Sequence, residues 1–111
     1  MDSSRIVALR VLERILLDDA YSHIALDAEL QKTSLDPRDR GLATQLVYGT
    51  LTLLAPIDTI LDRALRRGLR GTEDGIVMLL RVATYELLFL DRIPARATIH
   101  SAVELARSRD H

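Results

Sequence analysis

The chemistry available to this sequence rests on arginine. Its 15 cationic side chains are all Arg except Lys32. Arginine presents a planar fork of donors that matches phosphate geometry. Arg63, Arg66, Arg67 and Arg70 form the densest group. Two readings stand for them. In the first they grip a nucleic-acid backbone, each phosphate contact strengthening binding and adding to its salt dependence. In the second they are helix-end chemistry, cations beside the negative end of a helix dipole, with Asp62 pairing with Arg66 four residues on.

Arg10 and Arg14 lie one helical turn apart and away from the neighbouring apolar residues. They offer either a phosphate contact or, with Glu13 nearby, an ordinary solvated face. Arg38 and Arg40 flank Asp39 and are open to the same two readings. Arg81 interrupts an apolar run and is expected to neutralise a buried or half-buried acid such as Asp39.

Other chemistries find little support. The sequence has no Cys, which excludes a disulfide scaffold, a thiolate zinc site and a cysteine nucleophile. His100 and Glu104 are four apart, but two donors without a third do not make a metal site. Ser101 beside His100 is adjacency in sequence, whereas a catalytic triad is assembled in space. No Gly-rich loop follows a strand, so no cofactor is expected. Tyr21, Tyr48, Tyr85 and Phe89 are the only aromatics. They are read here as core residues, which argues against recognition by base stacking. Recognition of a nucleic acid by these residues should run through backbone and shape.

The formal net charge is −1, but the charges are unevenly placed. Asp18, Asp19, Asp27, Glu29 and Asp36 face only Lys32 between positions 18 and 36, whereas Arg dominates from Arg63 to Arg81 and from Arg92 to Arg109. One flank is therefore expected to be basic within a neutral total.

The elements that hold these residues read as helices throughout. The 111 residues suit one domain and, at 48% apolar content, a real core. No apolar run approaches the ~20 residues of a membrane span. The opening MDSSRIVALR lacks a signal-peptide layout. Both points are compatible with a cytoplasmic protein.

Ser3 or Ser4 is a possible cap for a first helix that buries Ala8, Leu9, Val11, Leu12, Ile15 and Leu16, ending at Asp18-Asp19. Ser22 is expected to cap a second, carrying Ile24, Leu26 and Leu30. Asp36-Pro37 opens a third, with Leu42, Ala43, Leu46, Val47, Leu51 and Leu54 inward. Gly49 inside it suggests close approach of another helix. Ala55-Pro56 breaks or restarts the helix. A fourth helix carries Ile57, Ile60, Leu61, Ala64 and Leu65 on one stripe, with Gly68 as the left-handed residue beyond it. Thr72 is expected to cap a fifth, apolar nearly all round from Ile76 to Leu90 and hence central. After a turn at Asp91 to Pro94, a sixth places Ile99, Ala102, Val103 and Ala106 inward. The sum is an all-α bundle with short connections.

In this order the segments resemble a known family. The run from Pro37-Arg38-Asp39-Arg40 to Leu46-Val47-Tyr48-Gly49 is similar to the third helix of the NusB fold. It is more like the N-terminal NusB-like domain of bacterial small-subunit rRNA (cytosine-5-)-methyltransferases than like free-standing NusB. Ile57-Asp58-Thr59-Ile60-Leu61, Leu79-Leu80-Arg81 through Leu90, and Ile93-Pro94 through Ala102-Val103-Glu104-Leu105-Ala106-Arg107 agree with it.

The resemblance implies a NusB-like bundle of about six helices over residues 1–111, with the family's further closing helix not present before His111. It implies a non-catalytic RNA-binding or positioning module, an accessory to an S-adenosylmethionine-dependent rRNA methyltransferase. The alternatives are a NusB-type transcription antitermination factor, or a protein-docking or dimerisation module without RNA affinity. The implied partners are RNA (rRNA first), a downstream methyltransferase domain or a ribosomal protein. Family RNA contacts in the N-terminal segment and first helix map onto Arg5, Arg10 and Arg14. A homodimer is expected if Leu46, Leu54, Leu87 or Leu90 lacks cover.

Overall fold

A computed structural model describes residues 3–90 and 94–109 and shows six α-helices with no strand among them. They are α1 (Ser3–Asp18), α2 (Ser22–Lys32), α3 (Pro37–Thr52), α4 (Leu54–Ala64), α5 (Asp74–Phe89) and α6 (Ala95–Arg109). Asp91, Arg92 and Ile93 of the expected turn, and His111, lie outside the described residues. The chain divides into two compact units, Asp2–Tyr48 and, with Met1, Gly49–His111.

In the first unit α1 packs on α2. Val7, Ala8, Val11 and Leu12 are buried on α1, and Ala25, Leu26 and Leu30 on α2. Ser3 and Ser4 both lie inside α1, and Ser4 is not a cap. Its buried hydroxyl donates to the Asp39 carbonyl at 3.1 Å, pinning the first turn of α1 to the first turn of α3. Asp19 ends α1 in the left-handed conformation, φ 58°, which Asp tolerates better than most residues. Ser22 is the first residue of α2; the cap position belongs to Tyr21, which supplies no side-chain bond. Ile24, expected inward, is exposed. Ala25 and Glu29 take that side of the helix instead.

Asp36 behaves as the sequence suggests. Its Oδ1 accepts the Asp39 N–H at 2.9 Å and its carbonyl accepts the Arg40 N–H at 2.9 Å. Pro37 fits the first helical position because no N–H is needed there.

In the second unit α5 packs on both α4 and α6. Gly49, near the end of α3, is explained by Tyr85 of α5. A Cβ at position 49 would overlap the Tyr85 ring. The chain breaks at Leu53, ahead of Pro56, which then sits harmlessly in the first turn of α4. On α4 only Ile57 and Leu61 of the expected stripe are buried, and Ile60 is exposed. Thr72 is not the cap of α5: Glu73 is, its carboxylate accepting the Gly75 N–H at 3.1 Å. The Thr72 hydroxyl instead donates to the Gly68 carbonyl.

Helix α5 is buried through its middle at Val77, Met78, Leu79, Val82 and Tyr85, but Leu87, Leu88 and Phe89 in its last turn are exposed. Leu46 and Leu90 are covered, unlike Leu87. On α6 the inward face is turned from the expected one. Thr98 and Leu105 are buried, whereas Ile99 and Val103 are 53% and 43% exposed. The reason is a polar one. Glu86 on α5 is buried, and a buried carboxylate needs donors. Thr98 brings its hydroxyl within 3.5 Å of Glu86 Oε1.

Candidate nucleic-acid interface

Arg81 has left the set of free cations. Its Nε and Nη2 each donate to one carboxylate oxygen of Asp58 at 2.8 Å. The partner is thus Asp58 on α4 and not Asp39, which lies on α3. Asp58 and Arg81 stand on neighbouring packed helices, α4 and α5, at a register the sequence does not display. Arg5 has also left it. It is 6% exposed on the inner side of α1 and has a partner within the protein. Its helical spacing from Ala8 and Leu12, both buried, places it on the inner side, so it is not surface available to a phosphate.

The other candidate arginines lie at or partly at the surface. In the first unit Arg10, Arg38 and Arg40 are exposed and Arg14 is half-buried. Arg10 borders an open surface groove of about 370 Å³, lined also by Ser3, Ile6, Val7, Thr33, Ser34 and Leu35. That groove joins residues from α1 and from the α2–α3 connection, so no local motif announces it.

In the second unit Arg63 lies in the last turn of α4, and Arg66, Arg67 and Arg70 follow in the connection to α5; all four are exposed. Among the described residues no carboxylate forms an ion pair with any of them. The expected Asp62–Arg66 pairing gives way to a backbone bond, in which Asp62 Oδ1 accepts the Leu69 N–H at 3.0 Å. Gly68 is left-handed, φ 68°. It sits within this turn and not directly at the helix end, because Leu65 is the residue that caps α4.

The aromatics depart from expectation. Only Tyr85 is a core residue. Tyr21 is 74% exposed because it precedes α2 in extended backbone, off any helical stripe. Tyr48 and Phe89 are exposed as well, Phe89 stacked on Tyr85 with ring centroids 6.0 Å apart. His100 Nε2 and Glu104 Oε1 meet each other at 3.1 Å on the outside of α6. No cluster of three potential metal ligands occurs among the described residues. Nor, among them, is any helix long and apolar enough to cross a membrane.

These features define a class: an all-helical module that presents an arginine-rich turn to solvent. The chain belongs to the NusB family, whose model matches residues 2–111. It is similar to the probable ribosomal RNA small subunit methyltransferase B of Bacillus subtilis, with 36% identity over 109 residues, 98% of this chain and 24% of that protein. The corresponding Synechocystis protein, also described as probable, is 32% identical over 108 residues, 97% of this chain and 24% of the relative. The ribosomal RNA small subunit methyltransferase B of Pseudomonas putida is 34% identical over 102 residues, 92% of this chain and 23% of the relative. The chain therefore spans about 24% of the length of the first two.

Proposed function

We propose that this chain is a non-catalytic RNA-binding module that positions ribosomal RNA for a methyltransferase domain. One observation carries the reading. Arg63, Arg66, Arg67 and Arg70 are exposed on one short stretch, and no described acid neutralises them. Unpaired guanidinium groups at that density favour a polyanion. Arg10, Arg14, Arg38 and Arg40 form a second basic set on the other unit. Relatives that carry the same family region are named as ribosomal RNA methyltransferases, which makes rRNA the first substrate to test.

The test is titration of a labelled rRNA stem-loop at two salt concentrations. Phosphate-driven binding weakens with a slope in log salt of roughly 0.9 per duplex phosphate contacted. Reversing charge at Arg66 and Arg67 together should flatten that slope by roughly two contacts. A slope that ignores the double reversal rules the turn out as the RNA contact.

A second reading, protein docking or self-association, has its own observation. Leu87, Leu88 and Phe89 on α5, with Ile99 and Val103 on α6, are exposed apolar side chains on two packed helices. Exposed apolar side chains gathered into a patch of more than a few hundred Å² mark interaction sites. Sedimentation of wild type and Leu88→Asp separates the cases. A dimer dispersed by the substitution supports self-association, and a monomer at high concentration removes it.

A further inference from the structure

The arginine turn is built, and one acid builds it. Asp62 Oδ1 accepts the Leu69 N–H at 3.0 Å, across seven residues of chain. The Gly68 N–H returns to the Leu65 carbonyl at 3.1 Å, and the Thr72 N–H to the Leu69 carbonyl at 3.2 Å. The Thr72 hydroxyl adds a bond to the Gly68 carbonyl at 3.0 Å. Gly68 is left-handed, and a Cβ on it would lie 2.7 Å from the same Asp62 Oδ1. Gly71 closes over Arg67, where a Cβ would come 2.7 Å from the Arg67 carbonyl oxygen. The backbone of residues 65–72 is thus held from several sides, while the arginine side chains project from it exposed.

On charge alone Asp62 is misplaced. An acid among four arginines opposes a polyanion. Its carboxylate faces a backbone N–H instead of a guanidinium. Ordering loose side chains and loops at an interface weakens binding, and a pre-formed loop avoids that cost. We propose that Asp62 is a positioning residue for RNA: it locks the turn so that Arg66, Arg67 and Arg70, beside Arg63 in the last turn of α4, meet RNA phosphates without their backbone first being ordered. The inference rests on the RNA-binding reading above and deepens it.

The experiment compares wild type, Asp62→Ala and Asp62→Asn in the same rRNA stem-loop titration. Asp62→Ala makes the cluster more positive, so charge counting requires tighter binding. Loss of the lock requires the opposite, and about fivefold weaker binding is expected. The salt slope should hold, because the same phosphates are reached. Asp62→Asn keeps an oxygen for the Leu69 N–H, and binding at least as tight as wild type is expected. Exchange of the Leu69 amide reads the turn directly: slow in wild type and Asp62→Asn, fast in Asp62→Ala.

Gly68→Ala changes no charge and strains the same turn, so it should weaken binding as Asp62→Ala does. It also carries the comparison with Asp62→Asn if Asp62→Ala fails to fold. Folded Asp62→Ala or Gly68→Ala protein that binds RNA as tightly as wild type overturns the role of Asp62 and leaves the RNA reading intact. Wild-type protein without RNA affinity overturns both.

Discussion

Asp58 and Arg81 form a two-pronged pair, each carboxylate oxygen taking one guanidinium N–H at 2.8 Å, and this pair ties α4 to α5. Arg81 Nη1 also reaches Met78 Sδ at 3.6 Å. The two side chains keep 26% and 15% of their exposure. Removing one partner of a fully buried pair costs about 3–5 kcal/mol. Water can relieve part of that here, so Arg81→Ala should destabilise by roughly 1–3 kcal/mol. Asp58→Ala should cost a similar amount, and the double variant less than the sum. Chemical denaturation of the three variants measures this, and additive losses exclude the coupling.

Gly49→Ala gives a prediction whose sign is diagnostic. Helix propensity alone favours Ala by about 1 kcal/mol. The Tyr85 ring occupies the space a methyl group needs. Overpacking of this kind costs about 1–3 kcal/mol, so the melting temperature should fall. A rise would mean that the Tyr85 ring can yield to the added methyl group.

Asp36→Ala removes an acceptor for the Asp39 N–H. A lost cap of this type costs about 1 kcal/mol. Asp36→Asn, which retains an oxygen in place, should recover most of the loss in urea denaturation.

The face of α6 can be tested by contrast. Leu105 is buried and Val103 is not. Leu105→Ala should cost about 2–4 kcal/mol, while Val103→Asp should stay within about 0.5 kcal/mol of wild type. The reverse order would restore the face that apolar spacing alone suggests.

Six helices and most of their limits were legible because apolar spacing and punctuation agree over long stretches. Asp36-Pro37 and Gly49 are the clearest cases, one a local cap and the other a residue type that announces a close approach without naming its partner. What the sequence hid is polar and non-local. Thr98 is buried because Glu86 is, and nothing near residue 98 signals a carboxylate twelve residues earlier. Arg81 invited an acid, but Asp58 is chosen by the packing of α4 on α5. Arg5 looked like a surface cation, yet it shares a helical stripe with Ala8 and Leu12, both buried, which puts it on the inner side. The exposed arginines of the turn were visible as a cluster. The hydrogen bond from Leu69 that fixes their backbone was not, since Asp62 equally suited an ordinary i,i+4 ion pair.

The makeup of the turn has a chemical corollary. Acylation, the commonest covalent route for erasing positive charge, attacks amines, and the sole lysine of this chain sits on α2 beside Glu29, 3.6 Å away. Amine-directed reagents and acetyltransferases therefore pass over the basic turn altogether. Footprinting of that surface calls for guanidine-selective dicarbonyls, and the proposed RNA contact predicts that Arg66 and Arg67 become shielded from them when RNA is added.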